Sequence, residues 1–423
     1  MRILSLSNNS KSLLISISML FAFKYFQSTP LEKEFFQLHA IFLATLVLFL
    51  VGHFLGHLIT RKNFTRYELY FITLIAFVPI YSASRAYLEF GQPVMYGLLS
   101  ERGWVTLGLG ILFYNSITKG KTTLNTFEKS FVLLAWFSLT VFTYFYMFAD
   151  IGSFGENEVF AYVTAERGVR FKFASAFISF GAIYYFIRFT LFNLNKDLIK
   201  LLLFLCYIIF LVQGRTLTFA IIATFVVFIY CNRNIIKSLS PIIKITSVFA
   251  IGIIALFIFQ QAFLSKTYVL FAQMLQVLLG KESLDISANA RLNEAEIVLS
   301  YFKQHPYSFF FGIGNISNQW NEGYKSIFGY FYPADIGILG GIFIYGLFGF
   351  VLIALIPLIF TIKIISKYNC NENPFLKSLK YILVFNLLIF FQGSFIFNPI
   401  TYLIPYFIIL AFYQRQKYDK NIV

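Results

Sequence analysis

Chemistry-bearing residues are few in this chain, and their positions are informative. Gln213-Gly214-Arg215-Thr216 interrupts two apolar runs. An arginine at such depth costs several kcal/mol unless it is paired or hydrated. Two readings fit: an anion site facing a cavity, or a turn whose guanidinium snorkels to the interface. Arg291 sits three residues before Glu294, a spacing that also suits a solvated ion pair worth about 0.2–0.5 kcal/mol. His305-Pro306 follows, then Phe311-Gly312-Ile313-Gly314-Asn315, whose glycine pair lets backbone approach closely. Asp335-Ile336-Gly337 then leads into the run Gly340-Gly341…Gly346…Gly349, a pattern that favours close helix packing in a membrane.

The elements that must position these residues are set by composition. The chain has 423 residues, of which 58% are hydrophobic and only 13% charged; mean hydropathy is +0.73. So little charge cannot cover the surface of a water-soluble domain. A soluble enzyme, a disordered chain and a DNA-binding protein are therefore excluded. A membrane span needs about 20 apolar residues. Twelve such runs are expected, near 11–28, 35–59, 67–84, 103–118, 128–149, 171–192, 197–213, 216–231, 241–264, 334–362, 378–396 and 399–414. The first is expected to stay uncleaved, because no small-residue cleavage site follows it. The expected architecture is an all-α polytopic membrane protein. The 56 phenylalanines read as lipid-facing filler rather than as an aromatic binding site. Cys206, Cys231 and Cys370 fit neither a disulfide framework nor a metal site.

Basic residues in short loops set the orientation. With the N-terminus inside, 21 of the 34 Lys and Arg fall on the inner side but only 5 of the 19 acids, so the faces carry +16 and −1. The net charge of +15 is thus a topology signal, and nucleic acid is not an expected partner. Both termini are expected in the cytoplasm. The chain then divides into membrane helices over 1–262, a large outer loop over 263–333, and membrane helices with a short tail over 334–423. Within a bundle of mostly short loops, the long one is where function is expected. In it, 288–303 reads as an amphipathic helix with Leu292, Ala295, Leu299 and Phe302 on one face. It should stop before His305-Pro306, since the residue preceding proline leaves the α region.

The order of these motifs carries a resemblance. Gly214-Arg215-Thr216 between two spans, a long outer loop with Ala290-Arg291 and Ala295, His305-Pro306, Gly312-x-Gly314-Asn315, then Asp335-x-Gly337 into a glycine-rich span resemble the O-antigen polymerase and ligase superfamily. The likeness in motif order runs from about 213 to 349. It implies a bacterial inner-membrane glycosyltransferase with about twelve spans, a GT-C-type membrane fold and a periplasmic loop containing helices. Polymerases of this group join undecaprenyl-diphosphate-linked oligosaccharide repeats at the periplasmic face, building lipopolysaccharide O-antigen or capsule. Ligases transfer the finished polymer to lipid A core.

Carried over by position, the resemblance implies that Arg215 and Arg291 bind the lipid diphosphate and act in catalysis. A guanidinium fork holds phosphate oxygens bidentately as charge builds on the leaving group. Asp335 or Glu294 would serve as general base for the acceptor hydroxyl. His305, Gly312, Gly314 and Asn315 complete the expected substrate-binding set. Ligases typically show a histidine where this chain has Pro333-Ala334-Asp335; its absence favours a polymerase. No cofactor is expected and no metal. Glu32-Lys33-Glu34 and Glu156-Asn157-Glu158 have acidic spacing that suits a cation, but solvated loop charge explains them more simply. Tyr301, Tyr307, Trp320, Tyr324, Tyr330 and Tyr332 suit stacking on sugars, or equally an interfacial aromatic belt. The expected partners are the lipid-linked oligosaccharide and a polysaccharide chain-length regulator. A lipid-linked oligosaccharide flippase is the alternative of another class, but no internal repeat supports it.

Overall fold

The computed structural model describes residues 7–25, 29, 31–60, 64–148, 161–164, 168–171, 176–212, 214–233, short stretches between 240 and 247, 286–367 and 373–420. In chain order its helices are α1 (Asn8–Ala22), α2 (Glu32–Ile59), α3 (Arg66–Phe90), α4 (Val94–Ser100), α5 (Gly108–Thr118), α6 (Leu124–Phe148), α7 (Ala176–Phe192), α8 (Asn195–Cys206) and α9 (Arg215–Cys231). There follow α10 (Ile286–Gln304), α11 (Pro306–Phe311), α12 (Tyr324–Phe328), α13 (Ile338–Phe350), α14 (Ile356–Lys367), α15 (Pro374–Leu388), α16 (Ser394–Phe397) and α17 (Pro399–Lys420). One short antiparallel pair, β1 (Ala161–Thr164) with β2 (Gly168–Phe171), joins α6 to α7.

Capping chemistry explains where the helices start. Thr65 Oγ1 accepts from Glu68 N at 3.2 Å, while Glu68 Oε2 accepts from Thr65 N at 2.9 Å. This reciprocal capping box satisfies donors that the first turn leaves open. The same helix ends at Gly91, whose φ of +74° is the left-handed conformation favoured at helix C-termini. Asn373 Oδ1 accepts from Phe375 N and Leu376 N, and Pro374 occupies the first helical position, where a missing N–H does no harm.

Four described helices are long and apolar enough to cross a membrane: Phe35–Ile59, Arg66–Phe90, Leu124–Phe148 and the continuous run Ile338–Lys367. Ala176–Phe192 and Thr216–Cys231 are shorter apolar helices. The expected run 241–264 lies largely outside the described residues. Helix packing relies on close fit, because lipid competes equally for apolar surface. A Cβ on Gly110 of α5 would stand 2.4 Å from the Phe407 ring of α17, so only glycine allows that approach. Arg188 of α7 pairs with the buried Asp197 of α8 at 3.1 Å. Buried Lys377 of α15 donates to Asn232, just beyond α9, at 3.1 Å.

Phenylalanine departs from the reading as lipid-facing filler. Phe71, Phe127, Phe186, Phe228 and Phe343 are among the largest fully buried side chains, whereas Phe219 and Phe391 are exposed. The buried rings pack on one another, as where Phe186 stacks on Phe225 with centroids 3.8 Å apart. Aromatic pairs add contact energy beyond burial, which explains their use between helices.

Candidate functional site

The segment that follows α11 is stitched into the helix bundle by a defect in α13. At Gly346 φ is 69° and ψ 173°, so the helix breaks there. A break releases carbonyls one turn earlier from their usual intrahelical partners. Ile313 N and Gly314 N take them up, donating to Phe343 O and Ile344 O at 2.9 Å each. On the other side, Tyr81 of α3 donates to Phe311 O at 2.7 Å, and Arg85 Nε donates to Gly312 O at 2.9 Å. Gln92 closes the stretch by donating to Asn315 O and accepting from Ser317 N. The glycine pair thus approaches protein backbone. A Cβ at Gly312 would lie 2.2 Å from Ile344 O, and one at Gly314 would lie 2.3 Å from Ser82 O.

Carboxylates of α3 and of the turn after α4 anchor this arrangement. Glu89 accepts from Tyr301 OH at 2.5 Å and from Tyr307 OH at 2.9 Å, and Arg85 Nη2 stands 3.3 Å from it. Buried Glu101 accepts from Ser82 Oγ at 2.7 Å, Trp104 Nε1 at 2.9 Å and Tyr345 OH at 3.0 Å. Ser82 Oγ in turn accepts from Asn315 N at 2.9 Å. Sequence reasoning missed Arg85, Glu89 and Glu101. The available signal was their place at the end of an apolar run, where ionisable groups are expensive without partners.

Beside this anchor, α10 packs on the 3-10 turn Pro333–Ile336. Glu294 is the buried carboxylate of that contact, only 1% exposed. Its Oε1 accepts from Tyr332 N at 3.1 Å, and its Oε2 has no hydrogen-bond partner. Arg291 and Asp335 are exposed and near enough to act on it electrostatically. No ion pair within 4.0 Å joins Arg291 to Glu294, so the solvated-pair reading does not describe it. Burial pushes the Glu294 carboxyl above its usual range, and the Asp335 charge adds to this, against the Tyr332 N–H and Arg291. A carboxylate raised in this way is a stronger base.

The buried stripe of α10 is not the expected one. Leu292 and Leu299 are 42% and 50% exposed, whereas Glu294, Val298 and Phe302 are buried. The bond from Glu294 to the Tyr332 backbone fixes this face, and a residue 38 positions further on is invisible to periodicity. The helix does stop before His305-Pro306, as proline chemistry predicts. His305 packs against Tyr301, ring centroids 4.6 Å apart, at the foot of the Glu89 cluster. The aromatic set divides. Tyr301 and Tyr307 hold Glu89, and Tyr324 is buried with its hydroxyl toward Ile316 N. Tyr330 and Tyr332 remain exposed near Glu294, centroids 5.3 Å apart. Arg215 opens α9 directly after a π-helical turn, Tyr207–Val212; its side chain lies outside the described residues. So do Glu156, Glu158, Cys370 and the side chains of Glu32 and Glu34.

Residues 200–354 match the family model described as O-antigen ligase, consistent with the O-antigen polymerase and ligase superfamily. No curated protein matches the chain. The matched stretch contains Arg215, Arg291, Glu294, the 311–317 segment and Asp335.

Proposed function

We propose that this protein is a membrane glycosyltransferase that polymerises undecaprenyl-diphosphate-linked oligosaccharide repeats at the periplasmic face of a bacterial inner membrane. The observation that carries this reading is the unpartnered Glu294 carboxylate oxygen, with exposed Arg291 and Asp335 near enough to act on it electrostatically, inside the matched stretch. Arg291, with Arg215, grips the diphosphate of the donor and stabilises the charge that builds on it as it leaves. Glu294 takes the proton of the acceptor hydroxyl, and Asp335 keeps it basic. Tyr330 and Tyr332 offer exposed rings to the sugars. The transfer proceeds without a metal. The ligase reading is favoured by the description of the matched family; the polymerase reading, by Asp335 where ligases typically show histidine.

The polysaccharide of a deletion strain separates the readings. A single repeat on core supports a polymerase. Free lipid-linked polymer identifies a ligase, and cytoplasmic build-up of repeats identifies a flippase.

Two further outcomes are expected. Glu294 must be deprotonated to act as base, so activity falls as pH drops through its raised pKa. The acid limb of kcat/KM should therefore lie above the usual glutamate value of about 4.3. Asp335→Asn removes the negative neighbour, lowers that pKa and shifts the acid limb to lower pH; an unmoved limb removes Glu294 as the base. Reporter fusions at Gly323 and Cys370 should report opposite sides, Gly323 periplasmic. The same side at both positions contradicts the orientation.

A further inference from the structure

The end of α3 remote from the 311–317 segment carries a second cluster of side chains. Glu68 and Arg85 are separated by roughly 25 Å of helix at 1.5 Å per residue, so this cluster takes no part in the transfer. His53 and His57 lie one turn apart on the same face of α2. One ring nitrogen of each histidine and one Glu68 carboxylate oxygen fall within 4.8 Å of one another. His53 Nε2 is buried, makes no hydrogen bond and stands 3.5 Å from Glu68 Oε1. Donors bound to one zinc at about 2.0–2.1 Å in a tetrahedron stand about 3.3–3.4 Å apart, which the His53–Glu68 separation nearly matches.

The surroundings hold these donors in place. Glu68 Oε2 accepts from Thr65 N and Thr65 Oγ1, both at 2.9 Å, and Asn115 Nδ2 donates to Oε1 at 3.2 Å. Such outer bonds orient a carboxylate and leave a lone pair of Oε1 toward the histidines. His57 is stacked on Phe64, centroids 4.5 Å apart and planes 12° apart.

We propose that His53, His57 and Glu68 bind one divalent transition-metal ion, with water completing the shell. Two imidazoles and one carboxylate suit zinc better than magnesium or calcium, which prefer all-oxygen shells. The ion acts as a clasp between α2 and α3. The clasp has a physical use: only 11% of the apolar stretch of α2 is buried, against 39% for α3, so side-chain packing holds α2 weakly.

The test is a zinc titration of the full chain, purified in detergent without a histidine tag, stripped with EDTA and desalted. One zinc ion per chain is expected. His53→Ala and His57→Ala should each weaken binding at least tenfold. His305→Ala, the control, should leave it unchanged. Zinc should raise the unfolding temperature of the parent chain but not that of His57→Ala, a partly buried position on α2. No saturable binding, or parent affinity in both α2 variants, overturns the proposal. Either result leaves the transfer reading unaffected.

Discussion

Arg291→Lys is expected to abolish polymer longer than one repeat while the protein accumulates normally. The guanidinium is exposed on α10 and forms no ion pair within 4.0 Å with Glu294, so the fold does not depend on it. Lysine keeps the charge but loses the planar fork that matches two phosphate oxygens. Removing one preorganised donor from a developing anion lowers rates by about 100–1000-fold. If Arg291 were a surface charge only, the exchange would change stability by at most about 0.5 kcal/mol and leave the ladder intact. The polysaccharide ladder, read beside the level of membrane-inserted protein, decides between these. A normal ladder at normal protein level refutes the role.

The second large effect concerns the fold that carries the site. Gly314→Ala is expected to destabilise the protein by about 2–5 kcal/mol, from left-handed backbone strain and overpacking together. Its φ is +82°, and the added methyl would stand 2.3 Å from Ser82 O and 2.4 Å from Ala86 N, both backbone atoms of α3. Neither can move without distorting the helix. Gly329 is the matched control: its φ is +73°, but nothing lies within 4 Å of its Cβ position. Gly329→Ala should cost only about 1–2 kcal/mol. Thermal unfolding in detergent measures both. Equal effects would mean that the 311–317 segment is not wedged against α3. If Gly314 served substrate alone, stability would hold while activity fell.

The two substitutions probe features that were unequally legible in the sequence. Helix ends could be read where local chemistry sets them, as at His305-Pro306. The glycine run of α13 announced close packing, and two other helices approach it there: a Cβ on Gly341 would stand 2.2 Å from Ile396 Cδ1 of α16, and one on Gly346 2.3 Å from Phe310 O of α11. The break at Gly346 was not legible. Glycine allows it, but the need arises from Ile313 and Gly314, which accompany it only in three dimensions. The same holds for the buried face of α10. Leucine spacing predicted one stripe, and a single bond from Glu294 to Tyr332 N selected another. Arg291 was read as a site residue from motif order, and Glu294 or Asp335 as a base from its chemistry; the fold places Arg291 and Asp335 near enough to Glu294 to act on it electrostatically. Arg85, Glu89 and Glu101 escaped notice because their partners are tyrosines and backbone from distant segments, which no local pattern encodes.

Chain growth by the purified protein tests the central claim most directly. The full chain in detergent or nanodiscs, with EDTA present, is given an undecaprenyl-diphosphate-linked repeat unit as both donor and acceptor. The account predicts a ladder of lipid-linked oligomers with release of undecaprenyl diphosphate, absent with Arg291→Lys. Unchanged substrate with the parent protein, or an identical ladder with Arg291→Lys, would contradict it.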